Sequence, residues 1–314
     1  MKKNILVLGG TGFVGRHLCE KLQREGWAIT VPTRRSHSAQ SVQHLPGLTV
    51  IEANVHDEDA LTRLLPGHDA VVNLIAILHG TEAAFEHVHV ELPKKLARAC
   101  AATGVTRLVH ISALGVALDS PSRYQRSKAR GEAALHAGGL DLTVLRPSVV
   151  FGAGDRFLNL FAKLQSIFPV VPLAGANARF QPVWVEDVAQ AVVACLKQSS
   201  SISQTYECAG PDVMTLADLV RIAGRYGSSQ RPILPLPTVL GKLQATLLEL
   251  APGEPLMTRD NLAAMSVDNI ASGQWSDLNA LGIHPASVHT VAPTYLGTRG
   301  GRSGLLKARS GKPR

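Results

Sequence analysis

The chain has 314 residues, 45% of them hydrophobic, 18% charged and only 4% aromatic, which suits one large α/β unit or two joined lobes with an aliphatic core. Its net charge of +8 is uneven: six cations (Arg299, Arg302, Lys307, Arg309, Lys312 and Arg314) lie in 297–314 without an acid, leaving +2 for the rest. That near-neutral body excludes broad nucleic-acid binding, and the absence of any run of about 18 apolar residues excludes a spanning helix.

The first element is an apolar strand, Asn4–Leu8, followed at once by Gly9-Gly10-Thr11-Gly12-Phe13-Val14-Gly15 and by a helix in which Phe13, Val14, Leu18 and Leu22 recur at helical spacing. Gly9 permits a tight turn, Gly12 lets a pyrophosphate approach the backbone, and Gly15 allows close packing of the helix. Phosphates would sit on the N–H groups at the positive helix end, so this stretch reads as a dinucleotide site. Met1-Lys2-Lys3 imitates the start of a signal peptide, but the apolar run ends at Gly9-Gly10, so none is expected.

A second strand, Ala28–Thr33, ends at Arg34 and Arg35, where the adenosine ribose should lie. An acid there would favour a free 2′-OH. Two guanidiniums favour a 2′-phosphate, hence NADP(H) over NAD(H). The third strand, Leu48–Ala53, leads to Asn54 and Val55. Asn54 suits either adenine recognition or loop capping. A short helix covers Glu58–Leu65. The run Ala70–Leu78 reads as a strand buried on both faces, with Ala76 and Ile77 at its cofactor end. Residues 84–102 form a helix. On it His87 and His89 point to different faces, so no metal site is expected and both read as ordinary surface or site-wall residues.

The fifth strand, Arg107–Ile111, is followed by Ser112, and a helix over Ser122–His136 carries Tyr124 and Lys128. Asp141–Arg146 is the sixth strand, closed by Pro147. Alternating strands and helices predict a doubly wound parallel sheet, whose ligands bind beyond the carboxyl ends of the strands. Tyr124 and Lys128, four apart, share a helix face. The ammonium is expected to lower the phenol from about 10 toward working pH, for proton exchange with a carbonyl or alcohol oxygen held by Ser112. No G-x-S-x-G surrounds Ser112, which excludes the usual hydrolase elbow.

Beyond Phe151-Gly152 the pattern becomes irregular. Short extended pieces at Pro169–Pro172 and Phe180–Val185 precede helices at Val188–Lys197 and Thr215–Tyr226, the latter capped by Thr215. Leu240, Leu243, Leu247 and Leu250 mark one face of a further helix. A core-facing helix is the default reading and a membrane-surface helix the alternative. The domain division is a Rossmann dinucleotide domain over 1–150, a smaller α/β substrate lobe interleaved with the sheet over 151–296, and a basic, disordered tail over 297–314. The scattered Cys19, Cys100, Cys195 and Cys208 form no CxxC and read as buried reduced thiols.

Gly9, Gly12, Gly15, Ser112, Tyr124, Lys128 and Arg146-Pro147-Ser148-Val149-Val150-Phe151-Gly152 together resemble the short-chain dehydrogenase/reductase superfamily. Gly154-Asp155 and Val185-Glu186-Asp187-Val188 resemble its extended, epimerase-like branch. Asn73–Gly80 and Phe180–Val185 resemble the atypical group that includes the nucleotide-binding accessory subunit of mitochondrial complex I and its bacterial relatives, over about residues 4–285. The resemblance implies a cofactor cleft, with Thr11, Phe13 and Val14 at the phosphates and Pro147, Ser148, Val149 and Val150 near nicotinamide. The Ser112–Tyr124 interval is short for an epimerase, which argues against a nucleotide-sugar substrate. The expectation is an NADPH-dependent oxidoreductase for a small or isoprenoid/quinone-like substrate, with the apolar stretches 156–173 and 236–250 motivating the hydrophobic class. The alternative is a non-catalytic NADPH-binding assembly or redox-sensing protein linked to respiratory complexes or ubiquinone metabolism. The expected location is the cytoplasm, or peripheral on the inner face of the membrane.

Overall fold

The computed structural model describes residues 3–227, 229–250, 253 and 255–296. The expected basic tail therefore lies outside the described residues. In chain order the strands are β1 (Asn4–Leu8), β2 (Ala28–Thr33), β3 (Leu48–Glu52), β4 (Ala70–Asn73), β5 (Arg107–Ile111), β6 (Asp141–Pro147), β7 (Val150–Phe151), β8 (Val171–Ala174), β9 (Arg179–Phe180), β10 (Val183–Trp184), β11 (Thr205–Cys208), β12 (Met214–Thr215), β13 (Ile233–Leu236) and β14 (Ser276–Asp277). The helices are α1 (Phe13–Arg24), α2 (Glu58–Leu64), α3 (Glu82–Glu86), α4 (Leu92–Thr103), α5 (Arg123–His136), α6 (Leu158–Ile167), α7 (Val185–Lys197), α8 (Leu216–Tyr226), α9 (Thr238–Leu250), α10 (Arg259–Ala264) and α11 (Val288–Tyr295).

The chain divides into two compact units. The first comprises Met1–Pro147, Glu186–Cys208 and Ser272–His284; the second comprises Ser148–Val185, Ala209–Ala271 and the residues from Pro285 on. In the first, eight strands form one sheet in the order β14-β11-β6-β5-β4-β1-β2-β3, and every pairing in it is parallel. Strand order reverses between β1 and β4, which puts the topological switch point at the end of β1. On one face Leu6, Leu8, Val71 and Leu108 pack with Leu61, Leu92, Leu96 and Leu135 of the covering helices. Side-chain alternation turns Ile5 and Val7 to the other face, and both are fully buried. Glu186 of α7 ties that helix to α1, at 2.6 Å from His17 Nδ1 and 2.8 Å from Lys21 Nζ. These contacts, His17 first, hold its carboxyl down at about 2. The four cysteines are free and buried.

The second unit has its own core, in which Leu158 and Phe161 of α6 meet Leu219, Val220 and Ala223 of α8 and Val288 and Val291 of α11. Thr215 and Asp218 form the expected capping box at the start of α8.

Three elements differ from expectation. The apolar run from Ala70 leaves the sheet at Asn73, because the Asn73 Oδ1 accepts the Ile75 N–H at 3.1 Å and turns the chain outward. The helix over 84–102 runs from Glu82 to Thr103 with a π turn at His87–Glu91. The leucine stripe of α9 faces away from the core: Leu240, Leu243, Leu247 and Leu250 are all more than half exposed, and Gly241 and Ala245 are the buried residues. The core-facing reading of that helix is overturned.

Candidate active site

The glycine turn sits at the switch point. Gly9 adopts φ +82°, a left-handed conformation that a side chain would strain. The Gly12 N–H donates to the Gly9 carbonyl at 3.0 Å, closing the turn. A Cβ at position 15 would strike the Gly9 carbonyl oxygen and stand 2.6 Å from the Gly10 Cα, both backbone. The close packing that requires glycine at 15 is thus against the turn itself. Gly10, which spacing did not single out, is needed because a Cβ there would lie 2.8 Å from the Val31 side chain. Gly12 caps α1 with no side-chain hydrogen bond, no acid stands in the first turn, and a Cβ on Gly12 would meet only the Gly9 carbonyl. An exposed helix start with a bare glycine cap and neighbouring Thr11, Phe13 and Val14 fits a pyrophosphate.

Arg34 and Arg35 follow β2, exposed at its carboxyl end. The nearby acid, Glu52, is engaged by Ser36, whose hydroxyl donates at 2.6 Å. His56 stacks on His87 with ring centroids 4.4 Å apart, and its backbone carbonyl accepts from Lys95 Nζ at 2.7 Å. Burial first, then the charges of His87, Arg34 and Lys95, push His56 down to about 4. This edge is therefore cationic. Asn54 Oδ1 accepts the His56 N–H at 3.2 Å, which is the loop-capping arrangement. The Val55 side chain is buried in the core, so only its backbone faces outward.

Lys128 reaches the end of β5, where Ser112 follows, and Tyr124 stands one turn earlier on the same helix, α5. Lys128 is 2% exposed and its Nζ donates to the Ile111 carbonyl at 2.7 Å, one residue before Ser112. Burial pushes the ammonium down to about 8, against the pull of Glu132. The Ser112 hydroxyl is buried and has no hydrogen-bond partner among the described residues. Desolvation pushes the Tyr124 phenol up to about 12. The expected lowering by Lys128 is corrected here: the ammonium is spent on the Ile111 carbonyl, and burial decides the phenol's proton affinity.

His89, expected to be an ordinary surface or wall residue, is 3% exposed and central. The Ser127 hydroxyl donates to the Tyr124 carbonyl at 2.7 Å, so His89 Nδ1 is the donor to Ser127 Oγ at 2.8 Å. Its Nε2 is then free to accept the Ile77 N–H at 3.1 Å. The ring also stands edge-on to Tyr124, with centroids 5.4 Å apart. One neutral imidazole thus holds both the segment bearing Ala76 and Ile77 and the helix turn bearing Tyr124. Burial, with Lys128 adding, pushes it down to about 3. No signal at helical spacing identifies it, since its partners lie 12 and 38 residues away.

Pro147 ends β6 and its carbonyl accepts the Leu114 N–H at 2.8 Å. Ser148, Val149 and Val150 belong to the second unit. There Asn269 Oδ1 accepts from Ser148 Oγ at 2.6 Å and from the Val149 N–H at 3.2 Å, and Val150 pairs with Val183. Among the described residues no group of three or more His, Cys, Asp or Glu is placed to hold a metal ion.

Residues 5–209 match the NAD dependent epimerase/dehydratase family. NADH dehydrogenase (ubiquinone) 1 alpha subcomplex subunit 9, mitochondrial, of Mus musculus is 32% identical over 290 residues, covering 89% of this chain and 76% of its own length. A ceramide reductase of Caulobacter vibrioides is 31% identical over 192 residues, 60% of each chain. Among solved structures, the Thermus thermophilus UDP-glucose 4-epimerase in complex with NAD aligns with a TM-score of 0.70 at 18% identity, over 93% of this chain and 97% of that one. A nucleoside-diphosphate-sugar epimerase from Staphylococcus aureus aligns with a TM-score of 0.75 at 15% identity, over 93% and 99%. At such identities these two show the shared fold. The chain belongs to the NAD dependent epimerase/dehydratase family.

Proposed function

We propose that this protein is an NADPH-dependent reductase of a small or isoprenoid-like carbonyl. The observation that carries the reading is the buried Ser112 hydroxyl, which lacks a partner at the strand end where Lys128 is anchored. A buried polar atom without a partner costs about 1–3 kcal/mol, and such costs persist where a ligand supplies the partner. In this reading Ser112 holds the substrate oxygen and Tyr124 exchanges its proton. Lys128 fixes the helix turn against the Ile111 carbonyl. NADPH, when bound, supplies the hydride. Gly9, Thr11, Gly12, Phe13, Val14 and Gly15 would hold its pyrophosphate, with Ala76, Ile77 and Pro147 further along it.

The phenol's high proton affinity selects a direction. A group at about 12 is fully protonated at neutral pH. It carries the proton that a developing alkoxide requires, though as a weaker acid than a free phenol, and little phenolate is present to act as a base on an alcohol. Preference for NADPH is supported by Arg34 and Arg35 on an edge where Glu52 is already engaged and Lys95 adds positive charge. The apolar substrate class rests on the composition of 156–173, and one relative is named a ceramide reductase.

A second reading has its own support: the Tyr124 phenol is not activated, and relatives are named as subunits of NADH dehydrogenase. In that reading the chain binds NADPH without turnover and serves assembly or redox sensing beside a respiratory complex, on the cytoplasmic side. Stopped-flow NADPH oxidation against quinones, enones and aldehydes, with Tyr124→Phe beside the natural protein, separates them. The reductase reading expects a fall in turnover of about 10² to 10⁴ at unchanged NADPH affinity. It is refuted if cells that need the protein are fully supported by Tyr124→Phe.

A further inference from the structure

Behind Lys128 the first unit holds a buried charge pair. Glu132 lies one turn further along α5, so its side chain shares the Lys128 face. It is 4% exposed and accepts two bonds from Arg146 of β6, from Nε at 3.1 Å and from Nη2 at 2.5 Å. The Arg146 Cζ also stands 5.3 Å from the centre of the Trp275 ring. The segment leading to Trp275 is fixed by Glu207 of β11, the register partner of Arg146. The Glu207 carboxylate accepts the Ser272 N–H at 2.9 Å and the Gly273 N–H at 3.0 Å. A guanidinium bonded twice to a buried carboxylate and stacked on an indole holds that carboxylate in one place. Helix α5 lies this deep because Gly131 faces the π turn, where a Cβ would strike the His89 carbonyl oxygen.

The other titratable neighbours of Lys128 are uncharged at neutral pH. They are His89 on the π turn, His110 on β5 and Tyr124 on α5. Burial, with Lys128 adding to it, pushes His89 down to about 3 and holds His110 well below the usual histidine range. His110 Nδ1 accepts from Asn73 Nδ2 at 3.2 Å, since the Asn73 Oδ1 already takes the Ile75 N–H. Desolvation keeps the Tyr124 phenol protonated. Among these groups Glu132 alone is an anion, and its attraction opposes the burial that drives the proton off Lys128. When Tyr124 gives its proton to a substrate oxygen, a phenolate forms one turn from Lys128. An ammonium favours that charge and a neutral amine does not.

We propose that Glu132 is a positioning residue: clamped by Arg146 beside Trp275, its carboxylate supplies the negative charge that keeps Lys128 an ammonium at the end of β5. Because this rests on the reductase reading for its effect on rate, the test reads the amine itself. The full chain, with its lysines labelled with carbon-13 at Cε, is titrated by NMR between pH 6 and pH 11, without cofactor or substrate, and the Lys128 signal is assigned by its absence in Lys128→Arg. In the natural protein it should titrate near about 8. Glu132→Gln should weaken proton binding at Lys128 by about tenfold or more, and Glu132→Asp, which keeps the charge, should restore most of that loss. Glu132→Gln leaves Arg146 half-buried without its partner. If that variant does not fold, the paired Glu132→Gln, Arg146→Gln removes both charges, and the Lys128 midpoint should still fall. A midpoint unmoved in the glutamine variants, or an aspartate variant that titrates like the glutamine one, would overturn the proposal. A midpoint that moves in a protein that oxidises no NADPH supports it, and counts against the reductase reading alone.

Discussion

Lowering the pH should weaken the fold through His89, by an amount the structure sets. His89 is buried and neutral, accepting one hydrogen bond and donating another. A second ring proton would point Nε2–H at the Ile77 N–H. Its folded-state value of about 3 lies below the ordinary imidazole value of 6.5, so the unfolded chain takes up the proton first. The stability this histidine contributes is thus complete above pH 6.5 and is lost as pH falls toward 3, at up to ~1.4 kcal/mol per pH unit. Between pH 6 and pH 4.5 the loss integrates to roughly 2 kcal/mol. Urea midpoints at constant m-value, measured across that range for the natural protein and for His89→Gln, isolate it. His56, also lowered, and the carboxylates are common to both proteins and cancel in the comparison. The glutamine variant should lose about 2 kcal/mol less on acidification. Equal losses in the two proteins would refute the buried, neutral assignment and with it the clamp on Ile77.

Gly15→Ala should cost about 1–3 kcal/mol of stability in urea unfolding, because the new methyl meets backbone that cannot yield, and calorimetry should show weakened NADPH binding. Ser112→Ala should be neutral or slightly stabilising in thermal melts, since it removes a buried hydroxyl without a partner, while NADPH-driven turnover falls by about 10² to 10³. Arg34→Ala should narrow the affinity gap between NADPH and NADH by roughly 1.5–3 kcal/mol in paired titrations, and equal affinities in the natural protein would remove the guanidinium argument.

The parallel sheet was legible in the sequence because its strands are short apolar runs bounded by glycine, proline and charge, and because the glycine turn is a purely local backbone requirement. That Tyr124 and Lys128 lie one turn apart on one helix was legible for the same reason: a four-residue spacing fixes a shared face whatever surrounds it. What failed was whatever depends on distant partners. Leu74–Leu78 reads as strand, yet the Asn73 side chain competes for the backbone and His89 takes the Ile77 N–H. The leucines of α9 define a face, but periodicity is silent on which side of a helix is covered. Here two small residues let the helix seat on Ala174 with its back. The phenol of Tyr124 was expected to fall toward working pH because a lysine is near in sequence. Its proton affinity is set by desolvation, a property of the folded surroundings.

These misses share a physical origin and bear on what the site can do. Burial raises the proton affinity of Tyr124 and lowers that of Lys128 and His89, so each group is pushed toward its uncharged form. A site that disfavours charge in this way stabilises little on its own. It suits a reaction in which proton and hydride reach the substrate together, so that an alkoxide never needs to persist. Ser112 is the exception, a polar atom left without a partner where charge would briefly develop. A hydroxyl that served only a stored nucleotide would show its loss in NADPH affinity, and one that serves the substrate would show it in rate, so the Ser112→Ala comparison of melting, affinity and rate separates the two.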